Sequence, residues 1–292
     1  MSTVRVHTNT DAPPRSEGPP PGGRVGAQQR APFIRQVITL TRRNLTHIKR
    51  QPEMLSDVTI QPVMFVLLFA YVFGGSIQTN GSGYREWLLP GIMAQTMAFS
   101  AFVVAFGLSN DLTKGVIDRF RSLPINRGSV LVARSTSSLI HSSLGVIVMS
   151  LTGLIVGWRV RGSFLEALAG YALLMLFGFA MIWLGILVGS VMRSVEGVNG
   201  VIFTTIFPLT FLANTFAPSE NMPHWLRVIA EWNPISSLVQ AMRDLWGNGA
   251  PPPVDAQWPL HHPIIATIAW AIIFTAILAP LAMRAYVNRT RD

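Results

Sequence analysis

Six long stretches of this chain carry no Asp, Glu, Lys or Arg, and short charged segments separate them. A helix rises about 1.5 Å per residue, so each stretch is long enough to cross about 30 Å of hydrocarbon. Helices satisfy their own backbone in lipid, and runs such as 63–70 lack the alternation of a barrel strand. The pattern predicts an all-α polytopic membrane protein with six transmembrane helices, at about 57–76, 87–111, 130–157, 166–190, 197–217 and 262–283.

Residues 33–50 form an amphipathic segment before the first span. Its apolar side chains recur at helical spacing, at Ile34, Val37, Ile38, Leu45 and Ile48. Cations are distributed among them, at Arg35, Arg42, Arg43, Lys49 and Arg50. The segment predicts an N-terminal interfacial helix, with its apolar face in lipid and its cations on lipid phosphates. The alternative is a helix packed on a soluble domain.

The segment between spans five and six is too polar to cross a membrane but is patterned like two short helices. The first carries its apolar and aromatic residues at Pro223, Trp225, Leu226, Ile229 and Trp232. The second has Asn233 as its N-cap and Pro234 in its first turn, and Gly247 stops it. We expect two outer re-entrant or interfacial helices there, because Trp is enriched at membrane interfaces.

The most distinctive charged stretch is KGVIDRFRSLPINR, residues 114–127, between spans two and three. Val116, Phe120 and Leu123 form one apolar helical stripe, and Pro124 ends it. Two helical turns are too short to be stable alone, so this segment predicts a coupling helix at 114–124 that docks into another protein. Its predicted contact residues are Lys114, Val116, Asp118, Arg119, Phe120, Arg121 and Leu123.

Composition narrows the possible partners. Half of the residues are hydrophobic and 13% are charged, and cysteine is absent from the sequence. The net charge is +9, but the basic residues lie beside the spans, which favours lipid phosphates over nucleic acid. Residues 1–31 are rich in Pro, Gly and polar residues, which predicts a disordered cytoplasmic tail, and we expect residues 32–292 to form one six-span membrane domain.

Lys and Arg near the span ends are distributed unequally between the two sides. One side carries Arg42, Arg43, Lys49, Arg50, Lys114, Arg119, Arg121, Arg127, Arg134, Arg193, Arg284, Arg289 and Arg291. The other carries Arg85, Arg159, Arg161, Arg227 and Arg243. Since cytoplasmic loops are enriched in positive charge, both termini and the 114–124 segment are predicted to face the cytosol. The membrane that the spans cross is predicted to be the plasma membrane.

Motifs for catalysis are absent from the sequence. It contains no P-loop, zinc-protease or serine-hydrolase motif and no carboxylate pair within a span. We therefore assign no catalytic residue and no metal site, and the adjacent His261 and His262 are weak metal evidence. Spans two to six carry almost no ionisable group, which disfavours an ion-coupled transporter, although an ion-coupled or uncoupled transporter remains the alternative.

Two further patterns concern packing. Span three has many hydroxyls around His141, which indicates either a polar pathway or, as we favour, hydrogen bonds between helices. Gly153 with Gly157, and Gly185 with Gly189, have the spacing of close-packing faces, within one subunit or between copies.

Residues 33 to about 285 resemble the type-2 ABC-exporter permeases, and among them the daunorubicin-resistance permease group. The similarity rests on Pro52-Glu53, Asp57-Val58-Thr59, Phe73-Gly74-Gly75, Lys114 to Ile125, Phe207-Pro208-Leu209-Thr210-Phe211, Met222-Pro223 and Trp225-Leu226. The resemblance implies a half-transporter that pairs with a second permease copy, or a related permease, on two cytosolic ABC ATPase subunits. ATP and Mg would be bound by those subunits, and this chain would hold no cofactor.

The resemblance also implies roles for individual residues. Phe120 and Leu123 would anchor the coupling helix in a groove of the ATPase, with Asp118, Arg119 and Arg121 at its rim. Spans one, two and five would line the seam between permeases, and the cargo would be a hydrophobic or amphipathic compound such as a drug, a polyketide or a lipid. The candidates to touch cargo are Met64, Phe65, Phe69, Met97 and Phe203, for which lipid contact or packing is the alternative.

Overall fold

A computed structural model describes residues 32–50, 52–73, 83–113 and 126–289, and in these ranges the regular elements are all helical. The all-α prediction is therefore confirmed for the described chain. The helices are α1 (Phe33–Arg50), α2 (Pro52–Leu68, continued by a π-helical turn at Phe69–Phe73), α3 (Tyr84–Thr113), α4 (Arg127–Val156), α5 (Phe164–Val191), α6 (Val195–Phe211), α7 (His224–Glu231), α8 (Pro234–Trp246), α9 (Trp258–His261) and α10 (Pro263–Arg289).

Among the described residues, four helices are long and apolar enough to cross a membrane: α3, α4, α5 and α10. They coincide with predicted spans two, three, four and six. Two shorter apolar helices, Thr59–Val72 and Val195–Phe211, lie where spans one and five are predicted. The count of six spans stays a prediction, whereas the four long helices establish the membrane character of the bundle.

The centre of the bundle is the pair α3 and α5, and α5 also packs along α10. Gly185 and Gly189 allow the close approach of α3, since a Cβ on either glycine would meet the carbonyl oxygen of Ala101 or Ala105. The predicted close-packing face of span four is thus confirmed, and it operates within this subunit. Small residues at such a contact let two backbones come together without an intervening side chain.

The glycine pair at the end of α4 serves two different purposes. Gly153 faces the side chain of Leu89 on α3, as a packing glycine does. Gly157 instead caps the helix with φ 107, a left-handed conformation that disfavours residues with a Cβ. The spacing therefore predicted a contact for Gly153 correctly but was wrong for Gly157.

The two short helices α7 and α8 have the predicted local signals and different surroundings. In α8, Asn233 Oδ1 accepts from the N–H of Ile235, Pro234 lies in the first turn, and Gly247 caps the end with φ 65. The apolar side of α8 is fully buried against α3, α5 and α10. By contrast, α7 exposes Trp225 and Trp232. Only α7 therefore presents the aromatic surface of an interfacial helix, while α8 is packed into the bundle.

α6 ends at Phe211, earlier than the predicted end of span five. The carbonyl of Asn214 would need a donor four residues later in a continuing helix, and that residue is Pro218, which has no N–H. Instead Nη2 of Arg243 donates to the carbonyls of Asn214 and Thr215 at 3.0 and 3.4 Å. A long-range contact thus replaces the helical hydrogen bonds after Phe211.

Candidate functional site

The predicted coupling helix, 114–124, lies outside the described residues, with its contact residues Lys114, Val116, Asp118, Arg119, Phe120, Arg121 and Leu123. Both of its flanks are described. The preceding helix α3 ends at Thr113, and the chain is described again from Asn126, just before α4. The way these two flanks are held decides how the segment is connected to the membrane helices.

The second flank is attached to α1 through one amide oxygen. Oε1 of Gln36 accepts from the backbone N–H of Asn126 and from the hydroxyl of Ser129, both at 3.0 Å. Oδ1 of Asn126 in turn caps α4 by accepting from the N–H of Gly128 at 2.9 Å. The exit of the 114–124 segment is therefore fixed to α1 and to the start of α4 at once.

The first flank is attached to α4 by an ion pair. Asp111, in the last turn of α3, accepts from the guanidinium of Arg134 on α4. Further contacts join α4 to α1: Thr41 donates to the carbonyl of Ala133 at 3.4 Å, and Asn44 donates to Ser137 at 3.3 Å. We call α1, the end of α3 and the start of α4 the anchor block, because these contacts connect all three helices.

α1 shows two faces at this block. Leu40 is buried against the neighbouring helices. On the other side Ile34 and Ile38 are exposed by 71% and 62%, with Arg35 and Arg42 exposed beside them. Apolar side chains flanked by arginines suit contact with acyl chains and phosphates, so this face fits the predicted interfacial position. The inner face packs on α4 of the same chain.

A row of stacked phenylalanine rings runs along α2, α6 and the segment that follows α6. We call it the phenylalanine stack, and its members in order are Phe65, Phe69, Phe216, Phe211, Phe207 and Phe203. Successive ring centroids are 5.8, 4.8, 5.3, 4.2 and 5.1 Å apart. These spacings lie in the range of favourable aromatic pairs. The stack therefore links the two shorter apolar helices by a continuous aromatic surface.

The outer half of the stack is open to its surroundings. Phe203, Phe207 and Phe211 on α6 are 56%, 39% and 46% exposed, whereas Phe65 and Phe69 are half-buried. Exposed aromatic surface of this kind suits contact with lipid, a partner helix or an apolar ligand.

Three of the five predicted cargo-path residues, Phe65, Phe69 and Phe203, meet in the phenylalanine stack. Met64 is 58% exposed on α2. Met97 lies elsewhere: it is fully buried in the core and packs at Gly178 of α5, so only a movement of α3 relative to α5 would bring it to a ligand. Phe207, Phe211 and Phe216 were not predicted, although Phe203, Phe207 and Phe211 recur at four-residue spacing.

The hydroxyls of span three are used mainly within their own helix. Ser135 and Thr136 both donate to the carbonyl of Val132 at 2.9 Å. The favoured interpretation, bonding between helices, is confirmed at Ser137, which accepts from Asn44 of α1. His141 lies buried in this part of α4. The hydrogen bonds of Ser135, Thr136 and Ser137 are therefore contacts within α4 and to α1.

The region around α7 carries a charged network that is structural. Arg227 pairs with Glu231 at 2.7 Å on α7 and with Asp255 at 2.8 and 2.9 Å. Glu231 is 1% exposed and also accepts from Ser219 and from the N–H of Gln257. The hydrogen bonds from Arg227 lower the pKa of Asp255. Over the described chain, no group of three or more His, Asp or Glu could hold a metal ion.

The anchor block and the phenylalanine stack lie in the part of the chain that known sequences match. The profile of the ABC-2 type transporter family matches residues 35–245. The chain belongs to the ABC-2 type transporter family. The resemblance to the daunorubicin-resistance permease group is confirmed by individual relatives. This ABC-2 protein is accordingly an integral membrane permease subunit.

Several named permeases are similar to this ABC-2 chain over most of its length. The daunorubicin resistance ABC transporter permease protein DrrB1 of Streptomyces coeruleorubidus is 29% identical over 260 residues, covering 89% of either chain. The doxorubicin resistance ABC transporter permease protein DrrB of Mycobacterium tuberculosis is 26% identical, covering 86% of this chain and 89% of the relative. The probable multidrug ABC transporter permease YbhR of Escherichia coli is 20% identical, over 64% of this chain and 50% of the relative.

Proposed function

We propose that this ABC-2 permease exports a hydrophobic or amphipathic compound across the plasma membrane, driven by ATP hydrolysis on a separate cytosolic subunit. The relatives are named for resistance to daunorubicin and doxorubicin, which are amphipathic compounds of the proposed class. The sequence has no P-loop of its own, so a partner must bind ATP. The observation that carries the proposal is the double attachment of the segment 114–124.

The attachment explains how force could reach the membrane helices. A partner that moves the coupling helix pulls on Asn126, and Gln36 passes that displacement to α1. At the other flank Asp111 and Arg134 connect the end of α3 to α4. Three helices would therefore move with the segment as a block. Such rigid-body motion of packed elements is a common mode of switching between states.

The phenylalanine stack supports an apolar path on the face of α2 and α6. Aromatic and Met side chains offer large apolar contact area to ligands of varied shape. A second permease copy, or a related permease, would cover the exposed rings of Phe203, Phe207 and Phe211 and enclose the cargo between the two stacks. The proposed cargo is a drug, a polyketide or a lipid, because exposed aromatic side chains favour compounds with a large apolar surface.

The test begins with purification of the chain from its own cells in mild detergent. We expect a cytosolic subunit with a P-loop to accompany it. In vesicles that contain both subunits, Arg119→Glu and Phe120→Ala should each reduce ATP-driven export about tenfold, because Phe120→Ala removes a predicted apolar anchor and Arg119→Glu reverses a charge at the rim of the same small interface.

Ser122→Ala is the matched control, since it changes the polar side of the same segment without removing a predicted anchor. Unchanged export in both Arg119→Glu and Phe120→Ala would remove the coupling assignment. Export that proceeds without ATP would instead establish the ion-coupled or uncoupled transporter.

A further inference from the structure

A polar cavity of about 270 Å³ lies where the start of α3, the segment after α6, α8 and the segment before α9 meet. Asn214, Gln240 and Arg243 line it, together with Trp87 and Glu220. Pockets that enclose drug-sized ligands span about 300–1,000 Å³ and are mostly apolar. The volume and lining of this cavity therefore suit a small polar group, not a whole amphipathic cargo molecule.

Arg243 supplies a fixed, buried positive charge at this cavity. Its side chain is 1% exposed, and the guanidinium carbon lies 3.5 Å from the centre of the Trp87 ring. Nε donates to the carbonyl of Trp87 at 3.0 Å, and Nη2 donates to the carbonyls of Asn214 and Thr215. Among the described residues, no carboxylate forms an ion pair with this guanidinium. The hydrogen bonds of Arg243 to these residues use Nε and Nη2 and leave Nη1 without an acceptor.

Burial has an electrostatic consequence for this arginine. It lowers the pKa of Arg243 well below its usual range, because the charged form has lost water and the neighbouring Asp244 carboxylate compensates for only part of that loss. An anion beside Nη1 would favour the charged form of Arg243 and raise its pKa again. Arginine is also the residue whose planar donor geometry best matches phosphate and carboxylate oxygens.

Asn214 adds an acceptor next to this cation. The residue is 4% exposed, and its backbone N–H donates to Ser236 at 3.0 Å. Its side-chain oxygen Oδ1 is buried and accepts from none of the described residues. Buried amide oxygens are nearly always hydrogen-bonded, so this atom calls for a donor such as a hydroxyl or an ammonium group.

The position of the cavity indicates the depth at which a ligand would bind. Trp225 on α7 and Trp232 directly after it are exposed, and they belong to the same stretch between α6 and α9 that supplies most of the cavity lining. Tryptophan is enriched at the level of the lipid head groups. The cavity therefore lies at the level where phosphates are abundant.

We propose that this cavity binds a phosphate followed directly by a hydrogen-bond donor, with the phosphate at Nη1 of Arg243 and the donor at Oδ1 of Asn214. The head groups of phosphatidylethanolamine and phosphatidylglycerol have this chemistry, as do their soluble glycerophosphate forms. Glu220, exposed at the mouth of the cavity, offers a second acceptor to an ammonium group. The site is separate from the phenylalanine stack and does not depend on the proposed export.

The test is native mass spectrometry of the full chain in detergent, titrated with single lipids. Phosphatidylcholine is the matched control lipid, because it keeps the phosphate but its trimethylammonium group donates no hydrogen bond. We expect phosphatidylethanolamine and phosphatidylglycerol to bind about tenfold more tightly than phosphatidylcholine, as one additional hydrogen bond to a buried acceptor provides. Equal binding of all three lipids would overturn the proposal.

Variants of Asn214 locate the binding. Asn214→Ala should abolish the preference over phosphatidylcholine while leaving the protein as stable as the wild type, because the deleted oxygen has no partner in the protein. Asn214→Asp should weaken binding of both donor lipids, since its carboxylate would itself pair with Arg243. Asn288→Ala, an exposed position at the far end of α10, is the control. If Asn288→Ala and Asn214→Ala bind lipid alike, the site is not at this cavity.

Competition with a soluble head group distinguishes the two sources of the ligand. Displacement of bound phosphatidylethanolamine by glycerophosphoethanolamine at a similar concentration would support a soluble ligand. Retention of the lipid under those conditions would support a membrane lipid. Either result supports the phosphate-and-donor site, provided that the preference over phosphatidylcholine is present.

Discussion

Gln36 shows how much a single side chain contributes to the connection between the coupling segment and the membrane. Its one amide oxygen accepts both from Asn126, at the exit of that segment, and from Ser129, in the first turn of α4. The sequence offers no pattern that pairs residues 90 positions apart, so this contact could not be predicted. It depends on α1 and α4 lying side by side.

Gln36→Leu should uncouple transport from ATP hydrolysis. The substitution keeps the size of the side chain but removes the acceptor of the Asn126 backbone N–H, a hydrogen bond that contributes about 1 kcal/mol. The Ser129 hydroxyl keeps the carbonyl of Asn126 as an acceptor at 2.6 Å. We expect export per ATP hydrolysed to fall several-fold in reconstituted vesicles, with the partner ATPase still bound. Thr39→Ala, at an exposed position of the same helix, is the control. An unchanged ratio of export to hydrolysis would show that α1 does not transmit motion.

Two glycines allow the packing of the helices to be tested with the same change, glycine to alanine, at two positions. At Gly185 a Cβ would meet the carbonyl of Ala101, a backbone atom that cannot move aside, so Gly185→Ala should destabilise the bundle by about 1–3 kcal/mol. At Gly200 in α6 a Cβ meets nothing within 4 Å, so Gly200→Ala should stabilise by about 0.5–1 kcal/mol. Thermal unfolding in detergent should shift in opposite directions, and shifts of the same sign would contradict the packing.

Individual helices could be predicted where their signals are local. Asn233, Pro234 and Gly247 mark α8 by short-range capping chemistry, and the structure confirms each of them. The end of α6 could not be predicted from the sequence. The carbonyl of Thr215, just after α6, accepts from Arg243, which lies 28 residues later in the chain. Trp87 is buried, and its ring lies against the guanidinium of that same arginine.

The helix α7 provides a matched test of buried and exposed charge. Glu231→Gln and Asp255→Asn each remove one charged partner of Arg227. Glu231 is buried and accepts three hydrogen bonds, so its variant should lose about 1–3 kcal/mol of stability. Asp255 is largely exposed, so its variant should change stability little.

The pH dependence of the Asp255 variant follows from the direction of its pKa. Because Arg227 lowers the pKa of Asp255, its carboxylate contributes stability above the ordinary pKa of Asp and loses it as the pH falls through the lowered value. The difference between wild type and Asp255→Asn should therefore be largest near neutral pH and vanish in acid. Unfolding midpoints measured over a pH series would test this, and a difference that grows in acid would contradict the pairing.

At the scale of the whole molecule, the faces of the bundle differ in how much apolar surface they leave open. In α10 only 17% of the most apolar window is buried, compared with 67% in α3. The sequence identified both helices as spans, because hydropathy records length and composition. It could not assign their neighbours, since a side chain facing lipid and one facing another helix have the same apolar character.

The seam between permeases can be mapped without first removing any thiol, because the sequence has no cysteine. A single cysteine at Phe207 should form disulfide-linked dimers in membranes treated with a mild oxidant, since the proposed seam brings two phenylalanine stacks together. A single cysteine at Ile272, exposed on α10, should remain monomeric. Cross-linking at Ile272 but not at Phe207 would move the seam to the α10 face.

The hydrogen bonds from Arg243 to two carbonyls also suggest an order of folding during synthesis. A nascent chain that has emerged only as far as residue 242 contains α6 and the residues after it, but lacks the donor that satisfies Asn214 and Thr215. The two carbonyls then lack the donor that they have in the folded protein, so we expect the segment after α6 to reach its final position only once Arg243 has been made. Completion of this part of the bundle therefore awaits translation of a residue that belongs to no membrane span.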